Sequence, residues 1–169
     1  MYGIGMYVIY RNSGVCEIKD IIEKEFRDKV MEYYVLKPVH NKNAEIMVPT
    51  HNAELVAKMR KVLNKDQIMA IIRQMPNEEM IWIANEDERK EKYKQIIAEG
   101  DRIQLVQLIK TLYLHKEKQK KSGRKLHIAD EKILKEAEHM LYDEFAFVLD
   151  LSANEVVPFI MGQLKTENI

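Results

Sequence analysis

The spacing of apolar residues changes once along the chain, near Thr50. Before that point the pattern is that of short strands punctuated by turns. Met6 to Tyr10 is apolar and aromatic, and Asn12, Ser13 and Gly14 carry a turn signal. Val15 to Ile22 opens with the alternation of a half-buried strand, and Arg27 to Lys29 makes the next turn. Met31 to Lys37 is rich in the aromatic and branched residues that pack on a pleated surface and stops at Pro38. Asn41 to Asn43 turns again, and Ala44 to Val48 is a last strand, stopped by Pro49. Four or five short antiparallel strands are too few for a sandwich, so an SH3- or Tudor-like barrel is the expected closure.

From Thr50 onward the period is close to 3.6, which predicts an all-α helical bundle and hence an α+β chain. Asn64 with Gln67 forms a capping box for a helix over 65–74, which Met75, Pro76 and Asn77 end. Asn85 with Glu88 forms a second box, Gly100 ends that helix and Asp101 caps the next. Leu105, Leu108, Ile109 and Leu112 line one face of it, and Lys120 to Gly123 form a polar connection. Asp130 is read as the cap of a helix faced by Leu134, Ala137, Leu141, Phe145 and Val148. Ser152 with Glu155 makes a third box, and Pro158 predicts a kink or break near Val157. The expected domains are 1–50 and 51–169.

Composition narrows the class. A chain of 169 residues with 46% hydrophobic content can bury a core. No stretch approaches the length of a membrane span and the N-terminus lacks a signal-peptide pattern, so a soluble cytoplasmic protein is expected. The lone Cys16 agrees with a reducing compartment and reads as a half-buried strand residue. Net charge is zero, but it is unevenly spread: residues 82–127 carry 12 cations against 7 anions, and residues 128–169 carry 3 against 9. Such asymmetry fits either a polyanion-binding face or two segments that neutralise each other.

Catalytic chemistry is not evident. The five histidines lack metal-ligand spacing, Gly3 and Gly5 have no preceding strand, and no nucleophile elbow or P-loop is present. No enzyme, metal or cofactor is expected. What stands out is the only tryptophan, Trp82, just upstream of Arg89, Lys90, Lys92 and Lys94, with a second basic run from His115 to Lys125. An aromatic beside clustered cations is a composition that suits a phosphate backbone and an unstacked base step. Trp82 also lies in the apolar run Met80 to Ile83, where an indole commonly packs a core, and Lys116, Lys118, Lys120 and Lys121 suit a solvated helix C-terminus.

Taken in order, Met1 to Tyr10, Gly14 to Ile18, Tyr33 to Pro38, Ile46 to Pro49 and Lys58 to Arg60 resemble the N-terminal half of the bacterial CarD (CarD/CdnL) transcription regulators. Arg89 to Lys94, Gly100 to Arg102, Leu112 to Leu114 and Ala137 to Tyr142 resemble that family's helical half. The resemblance implies a Tudor-like domain that docks on the β subunit of RNA polymerase, and a helical domain that meets promoter DNA at the upstream edge of the bubble and stabilises the open complex. It further implies sequence-independent minor-groove and backbone contact, with Trp82 as the wedge. Arg89, Lys90 and Lys92 fall on the basic helix, and Arg124, Lys125 and Lys132 near a second DNA-contacting region. On the polymerase side, the arginines of other members fall near Glu25 and Met47, leaving Arg27, Tyr33, Glu45 and Met47 as candidates. A monomer is expected. The alternative is an interaction adaptor without DNA contact, which charge reversal on the basic helix would distinguish.

Overall fold

A long hairpin organises the first of the two units into which the chain divides, Met1–Leu63. The computed structural model describes residues 1–166. Strands β2 (Val15–Phe26) and β3 (Lys29–Pro38) pair from Cys16 with Pro38 out to Phe26 with Lys29. Arg27 and Asp28 connect them at φ 49° and 61°, the positive values a two-residue hairpin turn requires. A bulge between Ile18 and Asp20 inserts Lys19 and shifts the register. Towards the turn, every residue from Glu23 to Val30 is exposed, so the outer part of the hairpin is a ribbon without a core.

β1 (Tyr7–Tyr10), β4 (Ile46–Pro49) and β5 (Met59–Lys61) complete the antiparallel order β4-β3-β2-β1-β5. Val8, Tyr10, Cys16, Ile18, Tyr34, Leu36, Val48 and Met59 form the buried cluster. The Tyr2 hydroxyl donates to the Met59 carbonyl, and its ring meets Tyr34 edge-on at 6.1 Å. Among the described residues β4 and β5 end the ladder without pairing to each other, so the sheet is open by hydrogen bonding.

Two expectations change here. Cys16 is fully buried rather than half-buried, and burial pushes its thiol up to about 11. Residues beyond Thr50 are not all helical: after the short helix α1 (Ala53–Ala57), β5 returns to pair with β1, Ile9 opposite Arg60. The first unit therefore runs to Leu63 rather than residue 50. A three-residue strand has no local pattern of its own; its partner lies some fifty residues earlier.

The second unit begins at Asn64. Helix α2 (Lys65–Gln74) starts at the reciprocal box between Asn64 and Gln67. α3 (Glu86–Glu99) is capped by Asn85, which accepts from the amides of Asp87 and Glu88, and ends at Gly100 with φ 64°. α4 (Arg102–Lys121) starts at Asp101 and buries Leu105, Leu108, Ile109 and Leu112. α5 (Ile128–Leu149) follows with His127 at its cap position, so Asp130 lies inside the first turn and does not cap it. The Ser152–Glu155 box opens a single 3-10 turn, from which α6 (Val156–Thr166) proceeds at 98° to α5. The break at Val156 places Pro158 in the first turn of α6, where its missing N–H has no helical partner to lose. Among the described residues no single helix is long and apolar enough to cross a membrane.

Candidate nucleic-acid interface

The residues between α2 and α3 contain the apolar run Met80 to Ile83, which is neither helix nor strand but an extended segment tied down by side chains from the bundle. The Thr111 hydroxyl accepts from the Ile81 amide at 2.9 Å and itself donates to the Gln107 carbonyl at 2.7 Å. The Tyr93 hydroxyl donates to the Ile81 carbonyl at 2.8 Å, and burial pushes that phenol up to about 12. The Lys110 ammonium donates to the carbonyls of Pro76 and Glu78, both at 2.7 Å. An otherwise unpaired backbone thereby finds partners for its polar groups.

Arg89 completes this strapping. Its Nε and Nη2 donate to the two carboxylate oxygens of Asp130 at 3.0 and 2.8 Å, and Nη1 donates to the Ile83 carbonyl at 3.0 Å. The arginine is 3% exposed and Asp130 is fully buried. Its position explains the burial: Arg89, Tyr93, Ile96 and Ile97 are the buried residues of α3, spaced as one helical face. The expectation that Arg89 faces a phosphate is therefore corrected: a planar fork with its donors engaged inside joins α3 to α5. A second fork, Arg102 on Glu144 at 2.7 and 2.8 Å, joins α4 to α5.

Trp82 sits at the edge of this assembly. Its ring stacks on His115 with centroids 3.8 Å apart and 21° between planes, and the Arg89 guanidinium carbon lies 4.5 Å from the ring centre. The indole is 38% exposed, half packed and half open. Burial lowers the His115 pKa below the ordinary value, with the Asp130 charge opposing.

The other predicted cations are arranged differently. α4 ends in a double hydrogen-bonded reversal: the Arg124 amide donates to Gln119 and the Gly123 amide to Lys120, with Gly123 at φ 68°. Leu126, 8% exposed, anchors the connection, and α5 begins two residues later. This brings the basic end of α4 against the start of α5. Between them lies a cavity of about 690 Å³ walled by Lys116, Lys120, Arg124, Lys125, Lys132 and Lys135, with Glu131, Leu126 and Ile128. A second cavity of about 590 Å³ shares Lys125, Leu126, Ile128 and Lys132 and adds Glu86 and Lys90. Four of the seven predicted DNA residues, Lys90, Arg124, Lys125 and Lys132, thus line one cationic groove. Lys92 is exposed on α3 but lines neither cavity.

Within the groove some charge is balanced. Glu131 pairs with Lys116 at 2.9 Å, and Lys90 with Glu86 at 2.7 Å; hydrogen bonds to these carboxylates raise both lysine pKa values. Arg124, Lys125 and Lys132 are exposed and form no ion pair among the described residues. Lys116, Lys120 and Lys135 also belong to the wall; the first two lie in the basic run from His115 to Lys125, which suits either a phosphate backbone or a solvated helix end, and Lys135 is not among the candidates. Asp130 reads as a helix cap and His115 as the start of a basic run, and neither reading points to the pairing with Arg89 or the stack on Trp82; Ile128 carries no distinguishing local signal.

In the sheet unit, Met47 pairs with Val35 and Pro49 with Tyr33, so Tyr33 and Met47 project from the same face. Glu45 is exposed just before β4. Arg27 stands apart at the hairpin turn, its guanidinium carbon 5.3 Å from the Phe26 ring centre. The structure thus brings Tyr33 and Met47 together and leaves Arg27 elsewhere.

Residues 2–63 match the family described as CarD-like/TRCF RID domain, and residues 67–161 match CarD, C-terminal domain. No curated protein matches the chain.

Proposed function

The chain belongs to the CarD family of non-enzymatic, RNA polymerase-interacting transcription factors, and on that premise we propose that its helical unit holds promoter DNA in the cationic groove while its sheet unit docks on the β subunit of polymerase. The observation that carries this reading is the groove itself. Six cations from the end of α4, the connection and the start of α5 wall one cavity, against a single acid, Glu131. Phosphate attraction of this kind is independent of sequence and falls steeply with salt. Polymerase supplies the position, so modest intrinsic affinity suffices, and contact at the edge of the bubble favours the open complex.

In the sheet unit the proposal assigns the polymerase contact to the face bearing Tyr33 and Met47, with Glu45 beside it and Arg27 at the turn as a separate contact. A Tudor-like wrapping of the five strands is part of the same reading. The test is a pull-down of RNA polymerase, repeated with the isolated β-subunit fragment, alongside binding of bubble-containing DNA across a salt series. Both associations are expected, the second weakening with salt. Absence of the polymerase association would remove the docking role, and DNA binding unaffected by Lys125→Glu with Lys132→Glu would remove the groove.

A further inference from the structure

A further cavity of the helical unit, about 380 Å³, shares no lining residue with the cationic groove. Small-molecule sites start at roughly 300 Å³, so it has room for a compact ligand. Its walls come from α4, α5, α6 and the turn that follows α2. Ile109, Leu141 and Ile160 make them apolar, and the exposed side chains of Tyr113, Val157 and Met161 stand at the rim. The polar side chains of the lining differ in how far they are satisfied. The Lys110 ammonium already donates to the Pro76 and Glu78 carbonyls. Glu138 and Tyr142, one turn apart on a single face of α5, form no hydrogen bond among the described residues, and Glu138 has no ion pair there. The Tyr142 ring meets Phe145, and burial pushes its phenol up to about 12, with the Glu138 charge adding. Burial also raises the Glu138 pKa; the Lys116 and Lys135 charges oppose this and that of Glu131 adds to it.

We infer that this cavity binds a small amphipathic cation, an aromatic body carrying a protonated amine, with Glu138 as the counter-charge. A partly buried carboxylate without a donor is a poorly solvated acceptor, and an ammonium supplies both the donor and the opposite charge. The arriving cation also favours the ionised carboxyl that burial disfavours. A ligand carboxylate would meet the charge of Glu138 instead, while Lys110 has donors directed at backbone carbonyls. The apolar walls match the body of the ligand: Tyr113 and Tyr142 suit an aromatic ring, and Met161 adapts to its outline. This site is separate from the DNA groove, although α5 serves both, with Lys132 and Lys135 in one and Glu138 and Leu141 in the other.

The test is an NMR titration of the full chain with ligands of one shape and different charge: tryptamine, the neutral tryptophol and the anionic indoleacetate. Amide shifts are expected around Ile109, Leu141 and Ile160. Tryptamine should bind roughly tenfold more tightly than tryptophol, as one charge-assisted hydrogen bond implies, and indoleacetate should bind most weakly. Glu138→Gln should bring tryptamine down to the affinity of tryptophol and leave tryptophol unchanged. Val157→Trp, at a rim position exposed enough to accept the larger ring, should block all the ligands while the midpoint of urea unfolding keeps its wild-type value. Equal affinities, a preference for indoleacetate, or no shifts at these helices would each overturn the inference. So would a tryptamine preference that survives Glu138→Gln, or binding untouched by Val157→Trp. The ranking of ligands is read on the wild-type chain, so the outcome does not hang on either variant folding, and none of these results bears on the DNA groove.

Discussion

The helical unit treats its two basic segments in opposite ways. Around Arg89 the charge points inward, onto a buried carboxylate and backbone carbonyls. At the end of α4 and the start of α5 the cations point outward, into a shared groove. The difference follows from side-chain chemistry as well as position. Arginine's planar fork matches a carboxylate in two bonds and tolerates burial when fully paired, whereas lysine is a strongly hydrated point charge. A linear run of basic residues therefore locates cations without saying which of them hold the scaffold and which meet a partner.

The strongest way to break this contrast is at Asp130. Asp130→Ala leaves Arg89 buried and unpaired, and a loss of roughly 3–5 kcal/mol is expected, read as a fall in the midpoint of urea unfolding of the helical unit. A loss within experimental error would mean that the Arg89 patch is not a scaffold. Next in size is the groove: Lys125→Glu with Lys132→Glu should lower the slope of log affinity against log salt by about 2, roughly one for each phosphate that is no longer neutralised. Folding stability should change by no more than about 0.5 kcal/mol.

Trp82→Ala lies between the two regions in kind but below both in effect. Removing the histidine stack and the guanidinium–indole attraction should destabilise the unit by about 1–2 kcal/mol, with affinity for paired DNA unchanged. An equal loss of DNA affinity would move Trp82 to the outward-facing group. The smallest effect expected is at His115, whose folded pKa is lowered by burial. Above the usual histidine value its contribution to stability is fully present. As pH falls the unfolded chain takes up the proton first, so that contribution declines until the lower folded value is passed. His115→Gln should flatten this part of the stability profile relative to the wild type.

Local chemistry in the sequence foretold the helix boundaries set by local hydrogen bonds. The Asn64–Gln67 box, Gly100 followed by Asp101, and the Ser152–Glu155 box all stand where the residues indicated. Features that depend on distant partners were not legible. β5 exists because β1 accepts it, and Asp130 looked like a cap because its real partner, Arg89, lies 41 positions away. One clue to Arg89 was present: it falls on the same helical face as Tyr93, Ile96 and Ile97, and a cation on an apolar face calls for a buried acid. The groove was half legible. Its cations could be counted along the chain, but their convergence depends on the reversal at Gly123, which sets the end of one helix against the start of the next.

The long hairpin has a consequence in time as well as space. Between Cys16 and Ile18 on β2, and at Leu36 on β3, its backbone bonds sit over a packed core, but from Glu23 to Val30 the same ladder continues with both faces in water. Amide protons along it will exchange with solvent in a graded order, fastest beside the Arg27–Asp28 turn and slowest beside Leu36, where release waits on unfolding of the whole sheet. The ribbon opens from its tip like a zip, rung by rung, without loosening the sheet at its root.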